Sequence, residues 1–290
     1  MRPRSFLACV LVTAALASSG AAQVVTENAG VTSPELTVLR ESLSVTRTEN
    51  LDEVRWTHEL VYAPDRSREF RLSVPIVWRE ARFSSAGGDE ESESAGLGDV
   101  SLRFKQALWR SDDVMRSDRW ALLLELGAPT GEHHARENGV PVPLMLQLGT
   151  GEWTVGAGSA YTRISDRRRF AVEAFYRHHS AHDGAQLGDS ATLNAAYWYR
   201  ILPAAFAPNE SGSEVRGVLE LLGSHAFAGE IGGRRVDDDG TLVVVAPGIQ
   251  VYPTANVLFE ANIGVPVYQD IDDDLGDRRW SAVLAVKFVF

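Results

Sequence analysis

Apolar and polar residues alternate along most of this chain with a period of two, most clearly in its last segment. In Trp280-Ser281-Ala282-Val283-Leu284-Ala285-Val286-Lys287-Phe288-Val289-Phe290 every even position is apolar, whereas the odd ones include a serine and a lysine. That period marks a β-strand with two chemically different faces. The last strand of a soluble sandwich would show the same pattern, but soluble domains rarely leave such a strand as a bare edge, because flat apolar edges aggregate. A barrel wall in lipid is the alternative. It would turn Trp280, Ala282, Leu284, Val286, Phe288 and Phe290 to hydrocarbon, and Ser281, Ala285 and Lys287 to an interior.

The alternation recurs in about twelve segments, near 36–46, 53–63, 69–81, 98–109, 119–128, 151–163, 169–179, 190–202, 215–226, 241–252, 256–268 and 280–290. Each is close to the roughly 9 to 11 residues that cross a bilayer as a tilted strand. The predicted fold is all-β: a transmembrane antiparallel up-and-down β-barrel of about twelve strands over residues 35–290, its C-terminal strand ending in Phe. An even count puts both termini on the periplasmic side, where turns are short. Two joins fit that rule, Ser165-Asp166-Arg167-Arg168 and Pro253-Thr254-Ala255-Asn256, while Pro203 to Gly217 is longer than it prefers. The intervening loops are long and polar: Gly87 to Glu93, Pro129 to Gly149, His178 to Asp189, Gly229 to Gly240 and Asp270 to Asp274.

Parity then assigns faces. Trp120, Leu122, Leu124 and Leu126 read outward, so Glu125 reads inward; Phe170, Val172, Ala174 and Tyr176 do the same for Glu173 and Arg177. By the same count Arg55, Glu59, Arg71, Arg103, Lys105, Asn194, Arg200, Arg216, Glu220, Glu260, Asn262 and Lys287 face the interior. Arg or Lys on the lipid face costs about 2 to 4 kcal/mol at mid-bilayer, so the agreement of so many charges is informative. Trp56, Tyr62, Trp78, Trp153, Tyr161, Tyr197, Tyr199 and Trp280 fall outward, several near strand ends as an aromatic girdle requires.

The N-terminus changes the picture from any barrel to an exported one. Met1-Arg2-Pro3-Arg4 precedes an apolar run from Ser5 to Ala17 and the small residues Ser18-Ser19-Gly20-Ala21-Ala22, the pattern of a signal peptide cut after Ala22. Residues 23–34 are then expected as an N-terminal periplasmic segment. The apolar run is too short for a membrane span, and no later stretch reaches the roughly 18 to 20 apolar residues of a transmembrane helix. Cys9, the one cysteine, lies inside the signal, so the mature chain has no thiol, disulfide or cysteine metal site. Removing Arg2 and Arg4 from 28 basic residues leaves 26 against 39 acidic ones, a net charge of −13, which argues against nucleic acid as a partner.

Gly96-Leu97-Gly98-Asp99 opens one segment, Gly127-Ala128-Pro129-Thr130-Gly131 follows another, and Leu148-Gly149-Thr150-Gly151 precedes a third. With Ala246-Pro247-Gly248-Ile249-Gln250-Val251-Tyr252-Pro253-Thr254-Ala255-Asn256 and Gly264-Val265-Pro266-Val267-Tyr268-Gln269, the chain resembles the outer-membrane transporters labelled as the MetA pathway of phenol degradation family. Glycine suits bulges and tight turns, and proline suits barrel rims. The resemblance implies an outer-membrane barrel admitting small hydrophobic or aromatic compounds, and it supplies no catalytic signature.

Local chemistry offers three further readings. Arg177-His178-His179-Ser180-Ala181-His182-Asp183, with His133, His134 and His225, puts six of the seven histidines near the predicted outer rim. They fit a solvated rim, a metal or pH-sensitive gate, or a Ser-His catalytic pair. Asp89-Glu90-Glu91, Asp237-Asp238-Asp239 and Asp272-Asp273-Asp274 fit either solvated charge or sites for cations bridging anionic lipids, and none matches a calcium loop. The inward charges either plug the barrel or narrow a diffusion path, since eight strands are filled by their own side chains and sixteen leave a channel.

The expectation is a passive channel for small solutes, with no cofactor, metal or catalytic residue. Arg55, Glu59, Arg71, Arg103, Lys105, Glu125, Glu173, Arg177, Arg200, Arg216, Glu220, Glu260 and Lys287 would line it. Trp280, Phe288 and Phe290 would form the assembly signal read by the barrel-assembly machinery, and lipids and the solute are the other partners. An enzyme with a rim His/Ser site acting on lipid or peptide, and an adhesive barrel using its acidic loops, are the competing classes.

Overall fold

The computed structural model describes residues 26–34, 36–85, 88–133, 136–137, 140–141, 146–182, 184–205, 213–235, 239–271 and 276–290. Its strands are β1 (Thr37–Thr48), β2 (Leu51–Tyr62), β3 (Arg68–Ser85), β4 (Gly88–Leu97), β5 (Val100–Asp113), β6 (Arg116–Ala128), β7 (Thr154–Ser165), β8 (Arg168–His179), β9 (Ser190–Leu202), β10 (Glu214–Ala226), β11 (Gly240–Thr254), β12 (Val257–Ile271) and β13 (Arg278–Val289). Twelve of them make a closed antiparallel wall in chain order, and β4 is one strand more than the alternation predicts. Two-residue pairings in the connections, such as Ala185–Gln186 with Glu230–Ile231, complete the β structure.

Closure answers why the chain carries its last aromatic where it does. β13 pairs with β1 from Val38↔Val289 to Thr48↔Arg278, so the first and last strands seal each other. Phe290 continues that seal: its N–H donates to the Thr37 carbonyl at 2.9 Å and its carbonyl accepts from Thr37 N at 3.2 Å. An edge that would template aggregation is removed by ring closure.

β4 replaces part of the expected polar loop after Phe83. It pairs with the far half of β3, Ile76↔Leu97 to Ser85↔Gly88, while β5 pairs with the near half, Ser73↔Ser101 to Arg68↔Gln106. Gly98 and Asp99 interrupt the two registers, a bulge that leaves one extra residue on the β4–β5 side. Short turns lie at the end with the termini (63–67, 114–115, 166–167 and 255–256), which is the periplasmic side for barrels of this kind. The long connections 129–153, 180–189 and 227–239 lie at the other.

The two faces follow the predicted parity. Leu124, Leu126, Leu193, Leu219, Leu221, Ile249, Ile263 and Leu284 are exposed on the outside, between Tyr62, Trp120, Phe170 and Tyr199 near one end and Trp78, Trp153, Tyr176 and Tyr268 near the other. In a soluble protein so much exposed apolar surface would aggregate; in lipid it is the buried face. Inward positions carry small residues and charges: Ala121, Ala160, Ala171, Ala196, Ala246, Glu59, Lys105, Glu173 and Glu220 are all buried.

Candidate functional site

The interior charges form connected groups. Arg40 joins Glu59 at 2.7 Å and Glu260 at 3.2 Å, and Gln250 Nε2 donates to Glu260 at 2.6 Å. Lys287 lies directly across from Arg40 in the β1–β13 register. Glu125 bridges Arg103 at 2.6 Å and Arg177 at 2.9 Å. Toward the far end, Glu53 holds Arg55 at 3.1 Å and Arg79 at 2.8 Å. Two expected members stand apart near the terminal end: Arg200 meets Asp166 at 3.5 Å, and Arg216 pairs with Glu214 at 2.6 Å beneath the Tyr252 ring.

The middle of this interior is occupied by chain rather than wall. Residues 26–34, expected as a periplasmic segment, lie against inward side chains of six strands. Thr26 N–H donates to Glu220 at 3.1 Å, Glu27 N–H to Glu173 at 3.0 Å, and Ala29 N–H to Thr162 Oγ1 at 2.8 Å. Thr32 gives both its N–H and its hydroxyl to Glu69, and Lys105 Nζ donates to the Gly30 carbonyl at 3.1 Å. The Glu27 carboxylate lies 2.8 Å from Arg71, 2.6 Å from Lys105 and 3.5 Å from Arg103. Parity could have added Glu69, Arg79 and Arg40 to the interior list, but no strand pattern marks Glu27.

The far half is built differently, and here the glycine motifs meet. Asp99, in the bulge, accepts from Gly131 N at 2.9 Å, Thr150 N at 2.8 Å and Thr150 Oγ1 at 2.9 Å. Thr130 Oγ1 donates to Gly98 O and accepts from Val100 N. Gly131 and Gly149 are in backbone contact: a Cβ on Gly149 would sit 2.5 Å from the Gly131 carbonyl oxygen. Just before Gly149 the chain turns inward, with Leu146, Gln147 and Leu148 buried and the Gln147 carbonyl accepting from Arg79 at 2.6 Å. Three motifs far apart in sequence thus act as one staple.

The histidines divide. His178 meets Asp189 at 2.9 Å, His225 meets Thr241 Oγ1 at 2.9 Å, and His133 and His182 stack edge to face at 5.1 Å. His179 is only 2% exposed, so it is not part of a solvated rim; its Nδ1 lies 3.8 Å from Glu152. Glu152 accepts the Leu187 N–H at 3.0 Å, and burial pushes its carboxyl up to about 7. Ser180 Oγ accepts from Trp153 N at 2.9 Å, and neither ring nitrogen of His179 has a hydrogen-bond partner among the described residues, so the two do not form a Ser-His pair. His134, the side chains of Asp89 and Glu90, and the residues Asp237, Asp238 and Asp272 to Asp274 lie outside the described residues.

A closed strand wall with an apolar, aromatic-belted outside and a charged inside defines an outer-membrane β-barrel. The chain belongs to the family described as "Putative MetA-pathway of phenol degradation", whose model matches residues 19–218. Its fold is similar to the crystal structure of the COG4313 outer membrane channel from Pseudomonas putida F1, at 16% identity and a TM-score of 0.69 over 90% of this chain and 97% of that one. A more distant likeness is to the outer membrane protein OprD from Pseudomonas aeruginosa, at 8% identity and a TM-score of 0.40 over 91% and 97% of the two chains.

Proposed function

We propose that this protein is a passive outer-membrane channel for small molecules, exported by residues 1–22 as a signal peptide and acting without enzymatic chemistry. The observation that carries the reading is a twelve-stranded wall whose interior is charged and is filled partly by a separate stretch, residues 26–34, that no wall pairing holds. A barrel built only for rigidity could fill itself with its own side chains. The fold likeness to an outer membrane channel, and the family membership, support the same reading. Barrel-assembly machinery reading Trp280, Phe288 and Phe290, and surrounding lipids, are the partners it requires.

The ladder around Arg103 and Glu173 narrows the path, so passage is slow and selective. Refolded wild-type barrel in a planar bilayer is expected to open in discrete steps, and Arg103→Ala or Glu173→Ala to raise leakage of small polar solutes severalfold, following loss of buried charge partners. Unchanged permeability in both variants, with normal heat-modifiable migration, would reject the ladder as the constriction.

A further inference from the structure

The wall places like charges where a wall should avoid them. Arg71 on β3 and Arg103 on β5 are directly opposite in register, both inward, and Lys105 is the next inward residue on β5. Like charges facing each other across strands destabilise a sheet. The wall's own Glu69 reaches Lys105 at 3.0 Å but Arg71 only at 3.6 Å, and Glu125 takes the far side of Arg103. The carboxylate that lies within 4 Å of all three cations belongs to Glu27: Arg71 donates through Nη1 at 2.8 Å and Nη2 at 3.2 Å, the paired geometry by which guanidinium recognises a carboxylate.

Beside this head-group site lies an apolar one. Ala29 packs with Ala121, Leu123, Ala160 and Phe175, and Arg103 lies over the Phe175 ring at 4.9 Å. The segment therefore presents a carboxylate and, two residues on, an apolar group to a cationic pocket continuous with an apolar wall.

We propose that Arg71, Arg103 and Lys105 form a binding site for small organic carboxylates with an apolar or aromatic body, and that Glu27 and Ala29 occupy it as a tethered stand-in that such a solute displaces. This deepens the channel reading and rests on it. The tether makes displacement a competition: a solute carboxylate takes over the three cations, and the segment leaves with Glu27 hydrated.

The test uses benzoate as the probe and benzyl alcohol as its neutral counterpart. Both are titrated onto refolded full-length wild type, Glu27→Gln and Glu27→Asp barrels, by calorimetry in detergent and by single-channel recording. Glu27→Gln is expected to bind benzoate at least tenfold tighter than wild type does, with benzyl alcohol unchanged. Arg71→Gln in the Glu27→Gln background is expected to lose that gain. If Glu27→Gln does not assemble, Glu27→Asp, which keeps the charge on a shorter arm, is expected to show a smaller gain in the same direction. Equal affinity for benzoate and benzyl alcohol in every variant that assembles would overturn the carboxylate site while leaving conductance, and so the channel, intact. Benzoate binding in a barrel that never conducts would keep the site and overturn the channel.

Discussion

Chain enters the interior of this barrel at two places, and the two are held by different physics. In the middle, residues 26–34 are held mainly by charge: one glutamate on three cations, and backbone amides on three wall carboxylates. At the far end, Gly131, Gly149 and Thr150 are held by shape: an aspartate in a bulge gripping three donors, and two glycines whose backbones touch. A charge-held segment can be exchanged for a solute that carries the same charge. A shape-held one cannot, because its contacts are specific to this backbone, so in the proposed channel selectivity would follow from the middle and the far end would act as a fixed narrowing.

Breaking the shape-held contacts should have the largest effect. Asp99→Ala strands three donors and should cost about 3 kcal/mol, since hydrogen bonds to a charged acceptor are worth roughly 1.5 to 3 kcal/mol each and do not add fully. The same change should free the loop, seen as a lower thermal midpoint together with higher mean conductance. Gly149→Ala drives a methyl into the Gly131 backbone and should cost about 1 to 3 kcal/mol, as overpacking does, with the same two readouts. A variant with normal stability and conductance at both positions would mean that the glycine motifs do not narrow the path.

Glu152 sharpens the comparison by pH. Its folded pKa of about 7 lies above the ordinary glutamate value, so the native state favours the protonated form. Stability from its seat is present in full below the ordinary glutamate range and is lost as pH rises through about 7. His179, Asp189 and Asp99 are the titratable groups nearby that bear on it. Protection of the Leu187 amide against hydrogen exchange, corrected for intrinsic rate, should therefore fall across that window in wild type and stay flat in Glu152→Gln. The smallest effect expected is from salt: raising it from about 0.1 to 1 M shortens screening from about 10 to 3 Å and supplies competing anions. Exchange at Thr26 to Thr32 should rise about threefold, while exchange at Gly149 and Thr150 stays within twofold.

Strand count, facing and closure were legible because lipid makes them so. A charge turned outward at mid-bilayer is penalised, so parity at Arg103, Glu125, Glu173 and Glu220 records the face of each strand without any alignment of neighbours. β4 escaped because its residues, Asp89 to Ser94, extend beyond the wall pattern and read as polar loop on both faces. The burial of His179 escaped because a histidine at a strand end has no local signal telling rim from interior.

The sequence by itself determined the wall: which residues face lipid, which face in, and where the ring closes on Phe290. Only the tertiary structure decided what fills the ring. Glu27 lies 44 residues from Arg71 and 146 from Glu173, and Asp99 lies 51 from Thr150. A period of two reports the environment of each residue's own strand and carries no information about which distant segment crosses the interior. That choice rests on charge placement and backbone fit, which exist only once the strands have closed.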